Sequence, residues 1–136
     1  GEFVHNVVSY ALSDKMNETS VHIPHGESEF EHSGLEGLPS TKVKPLRVKG
    51  SPIHLECRYM QTVDLPSWHE GGSNSMIIGE VIGIHIDDSV LTDAGLVDIR
   101  KMGVISRLGY DDYARVDAES VFSMERPEVE RSGAKK

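Results

Sequence analysis

Polar and apolar residues alternate from the first positions of the chain. In "EFVHNVVS", Phe3, His5 and Val7 fall on one face and Val4, Asn6 and Val8 on the other. A two-residue period with this β-branched content predicts a strand. "YALSDKMNETS" changes period: Leu12 and Met16 stand at helical spacing ahead of Pro24, so a short helix and an extended link are expected. In "SEFEHSGLEGLPS" Ser28 and Glu31 form a capping-box pattern, and Gly34 and Gly37 offer left-handed stops, which predicts about two helical turns.

Alternation returns further on. "SPIHLECRYMQTV" sets Ile53, Leu55, Cys57 and Tyr59 against His54, Glu56, Arg58 and Met60, a strand whose second face is expected to be wet. "MIIGEVIGIHID" is nearly continuous in apolar residues and is expected to be buried on both faces. Gly79 and Gly83 inside it point to bending or a close backbone approach. Between these, "TKVKPLRVKG" is an edge or connector because of Pro45, and "LPSWHEGGSNS" is a polar loop. "LTDAGLVDIRKMGVI" holds a turn at 93–95 and one helical turn, and "YARVDAESVFSMERP" a last strand or two. Strands outnumber helices, and long amphipathic helices are missing from the pattern, so a mostly β, small antiparallel barrel with short helical excursions is expected rather than a Rossmann sheet.

Composition narrows the classes. The chain has 136 residues, enough for one domain, with a polar tail from 128 to 136. A net charge of -8 argues against a nucleic-acid polymer as partner. No apolar run approaches the roughly 20 residues of a membrane span, and Cys57 is the single cysteine. A cytoplasmic protein is expected, without a membrane partner.

Candidate chemistry is sparse. The histidine spacings give no metal motif, and no nucleophile elbow, Walker loop or G-x-G-x-x-G is present. Lys42, Lys44, Arg47 and Lys49 could hold a nucleotide phosphate, but charges that deter strand pairing are the prior reading. His85, ending an apolar strand, needs a partner or a ligand. Trp68 either covers a ligand or packs on the barrel. "RLGYDDYARV" is the best candidate, since Arg107 beside the Gly109 turn with Tyr110 and Tyr113 nearby could hold a planar, electron-accepting ring.

In series, "EFVHNVV", "MNETS", "SEFEHSGL", "SPIHLEC", "GEVIGIHIDD", "RLGYDDYARV" and "ERP" resemble the flavin reductase-like family of FMN-binding split barrels, over residues 1–127. The resemblance is to the branch of flavoredoxins and monooxygenase flavin reductase components. It implies a six-stranded split barrel, a homodimer with FMN at the interface, and flavin reduction by NADH or NADPH for a monooxygenase or other acceptor. Arg107, Gly109, Tyr110 and Tyr113 would take the flavin ring, with His85 a neighbour and Asn6 matching a family asparagine beside the flavin. Family members carry an N-terminal segment for the FMN phosphate that this sequence lacks. The resemblance therefore implies an open barrel edge and weak FMN binding unless another chain completes the site. Two rivals remain: a flavoredoxin-type electron carrier, and a cofactor-free dimerising module.

Overall fold

The computed structural model describes residues 1–68 and 71–127, so the expected polar tail lies outside the described residues. Its frame is a three-stranded antiparallel sheet of β1 (Glu2–Asn6), β4 (Ile53–Leu65) and β5 (Asn74–Ile86), in the order β1-β4-β5. Two short ribbons accompany it: β2 (Gly37–Leu38) with β3 (Arg47–Val48), and β6 (Ile105–Arg107) with β7 (Tyr113–Arg115). The helices are α1 (Ser13–Glu18), α2 (Glu29–Ser33) and α3 (Ile99–Met102), with 3₁₀ turns at Tyr10–Leu12 and Asp88–Val90. Strands dominate and all pairings are antiparallel, as the period-two segments predict. The described strands do not close into a barrel.

Local chemistry accounts for most element ends. α2 starts after Ser28, whose hydroxyl makes no capping bond, and stops at Gly34 with φ 63°, a left-handed conformation that costs glycine little. Gly37 is a β2 residue rather than a helix stop, and its Cα faces the Leu46 side chain so closely that a Cβ would lie 2.5 Å from Leu46 Cδ1. α3 is capped by Asp98, which accepts the Arg100 N–H.

The glycines of β5 do what their positions suggest. A Cβ on Gly79 would lie 2.5 Å from the Phe3 ring, and one on Gly83 would meet Lys42 Cγ at 3.3 Å and Glu56 Cβ at 3.4 Å. The β4–β5 register shifts between Glu56 and Cys57 and again between Tyr59 and Gln61, beside the partners of these two glycines. Phe3 on β1 thus lies over the sheet where β5 has no side chain to offer.

Two expectations about sidedness are overturned. The face of β4 expected to be wet is exposed at Arg58 and Met60 but buried at His54 and Glu56, the latter with no exposed surface, whereas Tyr59 on the supposed core face is 41% exposed. The loop 41–43 covers the first face, and the bulges reset the alternation beyond it. β5 is not buried on both faces either: Ile77, Val81 and Ile84 are exposed, because β5 is the edge of the sheet and nothing described packs on its second side. Among the described residues the buried apolar ones are accordingly few: Val43, Cys57, Val90 and Met102.

Candidate functional site

The β6–β7 ribbon positions the arginine and tyrosines of "RLGYDDYARV". Arg107 pairs across the ribbon with Tyr113, and Ile105 with Arg115, so these four alternate residues share one face. Arg107 Nη1 donates to the Tyr113 hydroxyl at 2.9 Å, and its guanidinium carbon stands 5.3 Å from the Tyr113 ring centroid. Nη2 donates to the Tyr110 carbonyl at 2.7 Å. The turn's left-handed residue is Tyr110, φ 57°, and not Gly109, whose carbonyl instead accepts the Asp112 N–H. Arg107 thereby braces a conformation that a tyrosine adopts at some cost.

This face lines a cavity of about 450 Å³ whose far wall is Tyr10 with Asp14, Met16 and Asn17 from α1. Arg115 lies 4.9 Å from the Tyr10 ring centroid. The cavity therefore presents two phenol rings, each backed by a guanidinium, within the volume range of ligand pockets. Tyr110 contributes its carbonyl to this arrangement while its ring is 93% exposed.

His85 and Asn6 sit elsewhere. Asn6 Oδ1 accepts the Val48 N–H at 2.9 Å and ties β1 to β3, beside an apolar cavity of about 330 Å³ between β1 and α1. His85 belongs to a second polar cluster, centred on a residue that reading side chains in sequence assigns to solvent. Glu56 Oε1 accepts from the Thr41 N–H at 2.9 Å, the Thr41 hydroxyl at 3.1 Å and His85 Nε2 at 2.5 Å. Its Oε2 accepts from the N–H groups of Lys42 at 2.5 Å and Val43 at 3.1 Å. The next N–H, of Lys44, goes to Glu2 Oε2 at 2.9 Å. Four consecutive amides thus turn toward carboxylates, a backbone concavity suited to anions.

Burial acts to raise the Glu56 carboxyl, but the bonds from Thr41, His85 and Lys42 outweigh it and hold the group at about 2. It is ionised at neutral pH, so His85 Nε2 must be the donor, and Nδ1 is left as the other ring nitrogen. His54, opposite His85 across β4–β5 with ring centroids 6.1 Å apart, donates from Nε2 to the Val48 carbonyl at 2.8 Å. Burial pushes its imidazole below the ordinary histidine range, helped by Arg47 and His85 and opposed by the Val48 bond and Glu56. Only the tight local packing of "HLEC" against "TKV" would reveal this cluster, and amide donors leave no mark in a sequence. Trp68 does not pack inside: it is 98% exposed and lines neither the Arg107 cavity nor the one beside Asn6.

The flavin reductase like domain profile matches residues 1–105 of the chain. The chain belongs to the flavin reductase-like family. Within the family it is 31% identical over 134 residues to an uncharacterized protein of Halalkalibacterium halodurans, covering 97% of this chain and 62% of that one. Among solved structures, nitrilotriacetate monooxygenase component B from Bacillus cereus superposes with a TM-score of 0.77 at 26% identity, over 95% of this chain and 60% of the other. Flavoredoxin of Desulfovibrio vulgaris superposes with a TM-score of 0.71 at 23% identity, over 99% and 66%. The chain shares the mostly β, antiparallel architecture of its split-barrel structural relatives without closing a barrel among the described residues, and it spans 46% to 62% of the length of the curated relatives it matches. Among the described residues no helix of this flavin reductase-like chain is long and apolar enough to cross a membrane.

Proposed function

We propose that the chain carries the ring-binding side of an FMN-dependent oxidoreductase that reduces flavin with NADH or NADPH, supplying reduced flavin to a monooxygenase or a comparable acceptor. One observation carries the reading: Arg107 and Tyr113 face a cavity walled on its other side by Tyr10. The residues fit the cofactor. Phenol faces suit a flat heteroaromatic ring, and Arg107 and Arg115, set against Asp14 and Asp111 of the same lining, bring positive charge beside the two rings.

FMN, when bound, supplies hydride acceptance and release at its ring. The chain's own residues position and polarise. Arg107 is fixed by two hydrogen bonds, so its charge needs no reorganisation as negative charge develops nearby. Tyr113 is oriented by the same guanidinium. Membership of the family and the likeness to a monooxygenase component B support this assignment over a purely structural domain.

The exposed apolar side chains of β4 and β5, among them Met60, Ile77 and Ile84, support a homodimer, in which a second chain would cover them. Titrating FMN into the chain tests the reading. Saturable quenching of flavin fluorescence that weakens in Arg107→Gln supports it, and equal affinity in both proteins refutes the assignment of the site.

A further inference from the structure

The basic run after Thr41 has a structural counterpart away from the Arg107 cavity. Arg47 from β3 and the following Lys49 line a cavity of about 510 Å³ together with His54 from β4 and His85 and Asp87 from the end of β5. Charges that merely deter strand pairing would point into solvent from an edge. Here Arg47 and two imidazoles from three strands line one concavity, with the exposed Lys49 at its rim.

The hydrogen bonds around them prepare rather than exhaust this set. Arg47 gives Nε and Nη2 to the Pro39 carbonyl at 3.2 and 3.1 Å, which orients the guanidinium and leaves Nη1. His54 and His85 each spend Nε2, on the Val48 carbonyl and on Glu56, and each keeps Nδ1. Lys49 pairs with Glu36 on the surface, where both side chains are more than half exposed and the pair is readily exchanged. Glu56 faces this set from β4, but its negative charge is already met by three backbone amides, a hydroxyl and His85. Asp87 alone opposes an anion from the cavity wall, and it accepts the Ser89 N–H.

We infer that this cavity binds a phosphoryl group, with Arg47 and Lys49 as the charged contacts and His85, positioned by Glu56, as a third. A divalent cation is a poor occupant of a cavity that holds an arginine and a lysine. A tetrahedral oxyanion, by contrast, uses donors arriving from several directions. The inference does not depend on the flavin-ring reading, because the two cavities share no lining residue.

The test is titration of inorganic phosphate into the 136-residue chain, followed by the ring-proton resonances of its histidines. The expected result is a saturable shift of His54 and His85, weakened about tenfold in Arg47→Gln and in Lys49→Gln, as the loss of a charged hydrogen bond implies. Asp87→Asn, which keeps its acceptor oxygen, should tighten binding severalfold. Because Lys49 is exposed, its variant folds whether or not the Arg47 variant does. Shifts that never saturate, or affinities unchanged in both neutralised variants, overturn the site. Comparing FMN with riboflavin and NADP⁺ with NAD⁺ names the source of the phosphate, since each pair differs in that group alone. Phosphate binding without preference in either pair assigns the site to the free ion. Arg107→Gln should leave the phosphate titration unmoved, which separates failure here from failure of the ring assignment.

Discussion

His85 on β5 donates its Nε2 hydrogen to Oε1 of Glu56 on β4, a carboxylate with no exposed surface. The pair is diagonal across the two strands, since Glu56 stands opposite Gly83 and His85 opposite His54. A Cβ at position 83 would meet Lys42 Cγ at 3.3 Å and lie in ordinary contact with the Glu56 carboxyl carbon at 3.6 Å, so Gly83 sits directly beneath the pair.

Glu56→Gln should destabilise the fold by about 2–3 kcal/mol, because an amide nitrogen then faces backbone donors it cannot satisfy. The effect has a pH signature. The folded carboxyl, at about 2, lies below its ordinary value of 4.5, so its stabilisation is complete above about 4.5 and is lost as pH falls toward 2. Urea melts at stepped pH should show this loss in the wild type and a nearly flat profile over the same window in the variant.

His54 acts in a higher window with the same direction. Its folded value is depressed by burial from 6.5, so the unfolded chain takes up the proton first, and stability declines as pH drops below about 6.5. His54→Gln should remove that upper decline and leave the one near 4. A decline unchanged in the variant assigns it to another group.

Gly79→Ala should cost about 1–3 kcal/mol, since the new methyl would sit 2.5 Å from the Phe3 ring and 3.1 Å from the Arg58 carbonyl. Combining it with Phe3→Leu should recover part of the loss in a thermal melt. A strictly additive double mutant would mean that the ring is not what the methyl meets.

Arg107→Gln should leave the melting temperature within a few degrees, because the ribbon is exposed, while weakening FMN about tenfold. Tyr113→Phe should have a smaller effect, as it keeps the ring and loses one bond from Arg107. Fluorescence titration of both variants orders the two contributions.

The sequence makes strands such as Glu2–Asn6 and Ile53–Leu65 legible because alternation is local to each strand, and it places Arg107 near Tyr113 because few residues separate them, but the three-residue strands of that ribbon are too short to show a period. Sidedness is a different matter. Glu56 looks like a solvent residue in "HLEC" because its partners are amide hydrogens of Thr41, Lys42 and Val43, which every residue except proline carries alike. The apolar run of β5 looks like an interior strand because a sequence records hydrophobicity and not what is available to cover it; Ile77 and Ile84 remain exposed at the sheet edge. Tyr110 shows the same limit at the scale of one residue. The left-handed residue of the turn is Tyr110 and not the glycine beside it, and Arg107 holds the Tyr110 carbonyl, a bond that local propensity does not contain.

The clamp on Glu56 also makes one unit of the loop 41–43 and the β4–β5 pair. A carboxylate sheds its water only when replacement donors are already in place, and these come from a loop 13 to 15 residues away and from a strand 29 residues away. Four of the five donors come from the loop 41–43 and the fifth from β5, so the carboxylate is free of water only when the loop is docked on the paired strands. Loosening any one of these donors lets water back to the carboxylate and frees the loop and His85 together, so this corner should open to hydrogen exchange as a single unit.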